Sequence, residues 1–143
     1  MALVDSWQFW ALLAAVFAAL TAVLAKVGVS TLDPDLATWV RTGVVFLALG
    51  ALVVLTGKLK FEAGISASAW VFLVLSGLAT GASWLCYFRA LKLGNASQVA
   101  PVDKLSVVFV AVIAAVFLGE SLSPLGWMGI ALVGLGSVLV AVA

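Results

Sequence analysis

The chain of 143 residues is too hydrophobic for a water-soluble domain, since 66% of its residues are hydrophobic and 9% are charged. Soluble domains have about 45–50% apolar and about 25% charged residues, and so small a chain could not hide the excess in its interior. The sequence has no histidine and one cysteine, Cys86, which excludes histidine-based catalysis, an intrachain disulfide and a cysteine-cluster metal site. A formal net charge of +1 without a basic run excludes the electrostatic footprint of nucleic-acid binding. The composition therefore indicates an integral membrane protein.

Five apolar segments follow one another along the chain with polar breaks between them, and a membrane-crossing helix needs about 20 such residues. They are predicted at residues 7–29, 34–56, 69–93, 101–118 and 124–143. Barrel strands alternate polar and apolar residues, and these runs do not. We therefore predict an all-α integral membrane protein, a five-transmembrane-helix bundle that forms a single domain over residues 1–143.

The breaks between the segments contain the residues that start and end helices. Asp33 and Ser123 each precede a proline, which places a capping side chain before a first helical residue that needs no N–H partner. Pro101 is predicted in the first turn of the fourth segment. Glycines that are typical of helix ends follow three segments: Gly57, Gly94 and Gly119.

The loop charges give almost no preference for one orientation in the membrane. An odd number of spans places the two chain ends on opposite sides. Once the cations within or at the edge of spans are set aside, Lys58 and Lys60 remain on the N-terminal side and Lys92 on the other. The positive-inside rule then predicts a nearly balanced chain, which is able to insert in both orientations.

A polar stripe runs along one face of the third segment. Its members have helical spacing: Ser76, Thr80, Ser83, Trp84 and Tyr87. In one interpretation this face lines a substrate cavity, with hydroxyls as hydrogen-bond partners and the rings as stacking walls. In the other, the hydroxyls bond their own backbone or a neighbouring helix. Thr21, the clearest deep polar residue of the first segment, is a further cavity candidate.

Arg41 lies about two turns into the second segment, where an ionisable side chain is energetically expensive. In one interpretation Arg41 pairs with a carboxylate or holds an anionic group of the substrate. In the other, its side chain extends so that the guanidinium reaches the membrane–water interface. We include it among the substrate-binding candidates.

Four charged residues are predicted near one side of the membrane: Lys26, Arg89, Asp103 and Lys104. They could form a charged gate in which Asp103 pairs with Arg89, Lys26 or Arg41. The alternative is ordinary interfacial charge, with Asp103 favoured by the dipole of the fourth helix.

A face of small residues in the fifth segment is the candidate dimer contact. It consists of Gly126, Gly129, Val133, Gly136 and Val140. Small residues let helix backbones approach closely, either between subunits or within one chain.

Several stretches, taken in order, resemble the EamA family of the drug/metabolite transporter superfamily. They are WLCYFRAL at residues 84–91, Ala100-Pro101, LGESLS at 118–123 and WMGI at 127–130. Lys26, Pro34 and Arg41 also fall where the first two spans of the family tend to have such residues. Family members usually contain two such five-span units in opposite orientations. The resemblance therefore implies half a transporter that works as a homodimer. The two copies are either parallel or antiparallel, and the antiparallel arrangement is that of the small multidrug resistance transporters of the same superfamily.

These observations predict a secondary-active or facilitative transporter of small organic solutes, of the amino acid or metabolite exporter type, working by alternating access between inverted units. The expected partners are the lipid bilayer, a small-molecule solute and a second copy of the chain. The expected location is the cell membrane, the inner membrane of a bacterium or archaeon. No enzymatic activity, catalytic residue, cofactor or metal is predicted. The alternative is a non-transporting membrane subunit that packs against a larger partner.

Overall fold

The computed structural model describes residues 6–60 and 64–143, and its long segments are helical. The elements in chain order are α1 (Trp7–Val29), α2 (Pro34–Leu55), α3 (Ala67–Leu93), α4 (Ala96–Asp103), α5 (Ser106–Ile113), a π-helical segment (Ala114–Leu118) and α6 (Pro124–Val142). Five stretches are long and apolar enough to cross a membrane: α1, α2, α3, the run Ala96–Leu118 and α6. The predicted all-α class and the five spans are confirmed.

Helices α2 and α6 start in the same way, with a capping side chain followed by proline. The Asp33 carboxylate accepts hydrogen bonds from the backbone N–H groups of Asp35 and Leu36, at 2.9 and 3.1 Å. The Ser123 hydroxyl accepts one from the Gly126 N–H at 3.1 Å. Because the first N–H groups of a helix have no partner within it, these bonds fix where the two spans begin. Both predicted starts are confirmed.

The fourth span differs from its predicted form, because the helix begins at Ala96 and Pro101 lies inside α4. A proline has no N–H to donate to the carbonyl four residues earlier, and helices weaken near it. The span is divided into α4 and α5, and it then widens into the π-helical segment. It ends at Gly119, whose φ of 68° is the left-handed conformation that glycine adopts most readily.

The chain divides into two compact units. One contains α1 up to Lys26 together with Leu93–Ala143, and there α4 and α5 pack against α6. The other is Val27–Lys92, which contains α2 and α3.

Most large apolar side chains are exposed. Phe46 and Phe117, for example, are 74% and 79% exposed, whereas the buried hydrophobic residues of the described chain are few. Exposed apolar surface on this scale indicates contact with a membrane or with other protein chains.

Candidate functional site

Helix α2 brings Arg41 into the membrane-spanning part of the unit formed by residues 27–92. The cap at Asp33 sets the start of the helix, so Arg41 lies roughly 10 Å along its axis from Pro34. Thr38, one turn before, is buried, and its hydroxyl donates to the Pro34 carbonyl at 2.8 Å. Arg41 itself is half-buried.

The Arg41 guanidinium lies against aromatic rings of α3. Its Cζ atom is 4.1 Å from the ring centroid of Trp84 and 5.6 Å from that of Phe88. Trp84 and Phe88 are four residues apart and therefore share a helix face. Phe88 is buried, with 3% of its surface exposed, and Trp84 is half-buried. Cation–π contacts of this kind attract the guanidinium to the ring faces and so hold it near α3.

A second arginine makes a different contact nearer the end of the same pair of helices. The Nε and Nη2 atoms of Arg89 donate to the two carboxylate oxygens of Asp35, at 3.0 and 2.8 Å. This is a two-bond arginine–carboxylate pair, and both side chains remain exposed. Asp35 precedes Arg41 by six positions, or about 9 Å along α2.

The polar stripe on α3 is part of the same unit. Ser76, Thr80 and Ser83 are exposed, and Tyr87 is half-buried. The Thr80 hydroxyl donates to the Ser76 carbonyl at 2.9 Å, as in the backbone-bonding interpretation of the stripe. Thr21 belongs to the other unit, where it is half-buried.

The remaining gate candidates bond close to helix ends. The Lys26 ammonium donates to the Gly94 carbonyl at 2.7 Å. Asp103 pairs with its neighbour Lys104 at 3.1 Å, whereas the sequence suggested Arg89, Lys26 or Arg41 as its partners. Asp103 is the last residue of α4 and Lys104 is the cap residue that follows it, so this ion pair joins sequence neighbours at the helix end.

Sequence reasoning missed two contributors to these contacts: Asp35 and Phe88. Asp35 stands in the first turn of α2 and Arg89 near the end of α3. Consecutive spans run in opposite directions, so the first turn of one lies beside the last turns of the next. That rule could have identified Asp35 as the partner of Arg89.

The five residues of the predicted small-residue face of α6 lie in two different environments. A Cβ atom added at Gly126 would lie 3.4 Å from Leu122, within ordinary contact of the chain itself. A Cβ at Gly129 or Gly136 would meet nothing within 4 Å. Val133 and Val140 are also exposed. Four of the five candidates therefore lie on an open face.

A cavity of about 340 Å³ lies in the first unit, along α5. Its walls are mainly apolar, with Ser106 and Glu120 as the polar lining residues. No group of three or more His, Cys, Asp or Glu side chains among the described residues is placed to hold a metal ion.

Comparisons with known proteins identify the family. The model of the EamA-like transporter family matches residues 5–142. A protein of Sinorhizobium sp named "Uncharacterized transporter in cobO 3'region" is 56% identical over 138 residues, which cover 96% of this chain and 98% of that protein. No solved structure matches the chain. With its five spans and this match over almost its whole length, the chain belongs to the EamA-like transporter family and is a multi-pass membrane protein.

Proposed function

We propose that the protein transports small organic solutes across the cell membrane, as a secondary-active or facilitative transporter of the amino acid or metabolite exporter type. Membership of a transporter family and a relative named as a transporter support transport in general. The observation that points to a site in this chain is Arg41, a charged residue inside a span whose guanidinium lies on Trp84. Ionisable groups inside membrane spans are rare and usually belong to substrate or ion pathways.

The proposed substrate site is on the α2–α3 unit. Arg41, Trp84 and Tyr87 form the part nearer the Asp35–Arg89 pair, because they combine a cation, a flat ring and a phenol near the same level of the two helices. The exposed hydroxyls of Ser76, Thr80 and Ser83 continue along α3 and offer hydrogen bonds to a passing solute. Thr21 remains a further candidate on α1.

The charged residues near the helix ends are proposed to form a gate. Arg89 and Asp35 are joined by an exposed ion pair that solvent can weaken. Lys26, Asp103 and Lys104 contribute charge at other helix ends. An exposed ion pair contributes little to stability, so opening it costs little free energy.

Two copies, inserted in opposite orientations, are proposed to complete the pathway. Copies inserted in opposite orientations are inverted relative to each other, and inverted repeats are a general design of transporters that alternate access to a central site. The open face of α6 is the proposed contact between the copies. Solute binding would then shift the balance between two openings of the dimer.

Transport is tested with purified protein in liposomes loaded with a pool of amino acids, organic acids, nucleosides and polyamines. We expect the protein to release at least one pool member faster than protein-free liposomes do, as measured by mass spectrometry. Trp84→Ala is expected to slow that release about tenfold, since a lost cation–π contact of roughly 1–2 kcal/mol corresponds to about that factor. Tyr87→Phe is expected to slow it less, because the ring is kept.

The matched control is Trp39→Ala, which removes a tryptophan of α2 that is 74% exposed. We expect this variant to release solute like the original protein. Release by Trp84→Ala at the control rate would remove α3 from the site. A protein that releases no pool member and copurifies with another membrane protein would instead support the non-transporting subunit.

A further inference from the structure

We propose that Arg41 binds the carboxylate group of the solute, and that Trp84 and Phe88 hold its guanidinium in position to do so. This assignment rests on the proposed transport function and adds to it a chemical class of substrate: organic acids and amino acids, recognised through their carboxylate.

The contact with the two rings leaves the N–H donors of the Arg41 guanidinium without a hydrogen-bond acceptor among the described residues. The Cζ atom is 4.1 Å from the Trp84 ring centroid and 5.6 Å from that of Phe88. A guanidinium has five N–H donors, all in the plane of the group. The rings hold the guanidinium close to α3 but offer these donors no oxygen or nitrogen acceptor. The matching ligand is planar and has two acceptor oxygens side by side, as a carboxylate has.

The protein itself does not supply that carboxylate in the described part of the chain. The ion pairs there are Arg89–Asp35 and Lys104–Asp103, and no hydrogen bond from Arg41 is found. Every buried side-chain nitrogen and oxygen in this part of the chain has a hydrogen-bond partner, so the unbonded donors of Arg41 are accessible. A ligand can reach them.

The guanidinium of Arg89, unlike that of Arg41, is bound to a carboxylate of the protein. Its Nε and Nη2 atoms take both oxygens of Asp35 at 3.0 and 2.8 Å. Asp35 lies about 9 Å along α2 from Arg41 and is already bound to Arg89. A cation that remains inside a span without a counter-ion is unfavourable, and a bound carboxylate would neutralise it.

The depth of Arg41 favours a solute carboxylate over a lipid phosphate. Lipid phosphates lie in the headgroup region, outside the hydrocarbon core. Arg41 is roughly 10 Å into α2, beyond the exposed Asp35–Arg89 pair. The contact with Trp84 and Phe88 also holds the Arg41 guanidinium against α3.

The assignment is tested by chemical modification of arginine with phenylglyoxal, followed site by site with mass spectrometry. The chain has two arginines, so Arg89 serves as an internal reference. The probes are acetate, phenylacetate and L-phenylalanine, each compared with its amide at equal ionic strength in protein reconstituted in phosphatidylcholine nanodiscs. At ten times its Kd a carboxylate should slow modification of Arg41 about tenfold, because only the unliganded site reacts. The amides should have no effect, and Arg89 should react at the same rate throughout.

Variants separate binding from positioning. Arg41→Lys keeps the charge but loses the two-bond edge, and we expect it to lose the increase in thermal unfolding midpoint that the protecting carboxylate gives the original protein. Trp84→Leu should keep Arg41 and weaken protection several-fold, because the guanidinium is no longer held. Protection in the unaltered protein does not depend on whether either variant folds.

The outcomes distinguish this assignment from the transport function. Carboxylate protection of Arg41 in a protein that transports nothing would support the binding site and contradict transport. Transport with equal protection by acids and amides, or with no protection by any carboxylate probe, would overturn the carboxylate assignment alone. Protection that appears only when phosphatidylglycerol is added would also overturn it, in favour of a lipid headgroup.

Discussion

Lys92 shows how one side chain can complete the end of a helix. Its ammonium donates to the carbonyls of Val29, Ser30 and Leu32, at 2.9, 2.8 and 3.2 Å. Helix α1 ends at Val29, and the last carbonyls of a helix have no donor within it. A cation at this position also interacts favourably with the helix dipole.

Lys92→Met should therefore destabilise the fold. Methionine keeps a long apolar side chain but removes the charge-assisted hydrogen bonds, which are worth about 1.5–3 kcal/mol. We expect a lower unfolding midpoint in detergent. Lys60→Met is the control, since Lys60 is exposed and its ammonium has no hydrogen bond to a described residue. Equal midpoints for the two variants would show that Lys92 does not support the end of α1.

At this scale the sequence identified the important residues better than their partners. Arg41 and Trp84 are both candidates from the sequence. Whether they touch depends on the rotation of α2 and α3 about their axes, and the position of a residue along its span does not determine that rotation. The sequence offers Arg89, Lys26 and Arg41 as partners for Asp103, yet Arg89 bonds Asp35 and Asp103 bonds Lys104. Charge and depth are readable from the sequence, whereas pairing needs the packing.

Helix α6 has two faces of different character. Gly134 packs closely against α5, where an added Cβ would lie 3.2 Å from Val108 Cγ2. Ser137, on the same side, is buried and bonds the Val133 carbonyl. Gly129 faces open space and lies about 140° around the helix from Gly134, at 100° per residue. Gly126 differs from the other members of the stripe because it lies in the first turn of α6, within contact distance of the preceding Leu122.

Gly134→Ala and Gly129→Ala should consequently change stability in opposite directions. Val108 is β-branched and has essentially one rotamer in a helix, so it cannot easily make room for the new methyl group. Gly134→Ala should lower the free energy of unfolding by about 1–3 kcal/mol. Gly129→Ala should raise the stability of the isolated chain by about 0.5–1 kcal/mol, because alanine loses less backbone entropy.

Both changes in the free energy of unfolding can be measured by reversible unfolding of the monomer in detergent. Equal effects of the two substitutions would mean that Gly134 is not a close-packing site. The same variants also inform on assembly: if α6 joins two copies, Gly129→Ala should weaken the dimer while stabilising the monomer.

The fourth span shows what hydropathy misses at the level of elements. Residues 96–99 have the sequence ASQV, which is too polar to extend an apolar segment, and Pro101 resembles a helix start. The helix nevertheless begins at Ala96. Helix ends marked by strong local chemistry, at Asp33, Ser123 and Gly119, were predictable because a cap or a left-handed glycine acts within a few residues.

For the whole molecule, the balance of loop charges bears on assembly. If the five spans alternate in direction, Lys58 and Lys60 lie on one side of the membrane and Lys92 lies on the other. So small a difference gives weak control over orientation. A population inserted both ways would contain the inverted pairs that the proposed transporter needs.

Cysteine cross-linking along α6 can identify an antiparallel pair. Gly129 and Gly136 lie almost symmetrically about Val133 on the open face. In an antiparallel dimer that crosses near Val133, position 129 of one copy lies beside position 136 of the other. In a parallel dimer, each position lies beside itself. We expect Gly129→Cys to form a disulfide with Gly136→Cys when the two differently tagged variants are coexpressed, and not with itself.

Cys86 is exposed, so the experiment needs a Cys86→Ser background. Leu135→Cys is the negative control, because this exposed position lies about 120° around the helix from Gly129 and so away from the open face. A disulfide requires Cα atoms within about 7 Å, which makes the pattern a direct measure of register. Cross-links of each position only with itself would establish a parallel dimer. Their absence in every combination would remove α6 from the interface, and an inverted pair would then need another helix as its contact.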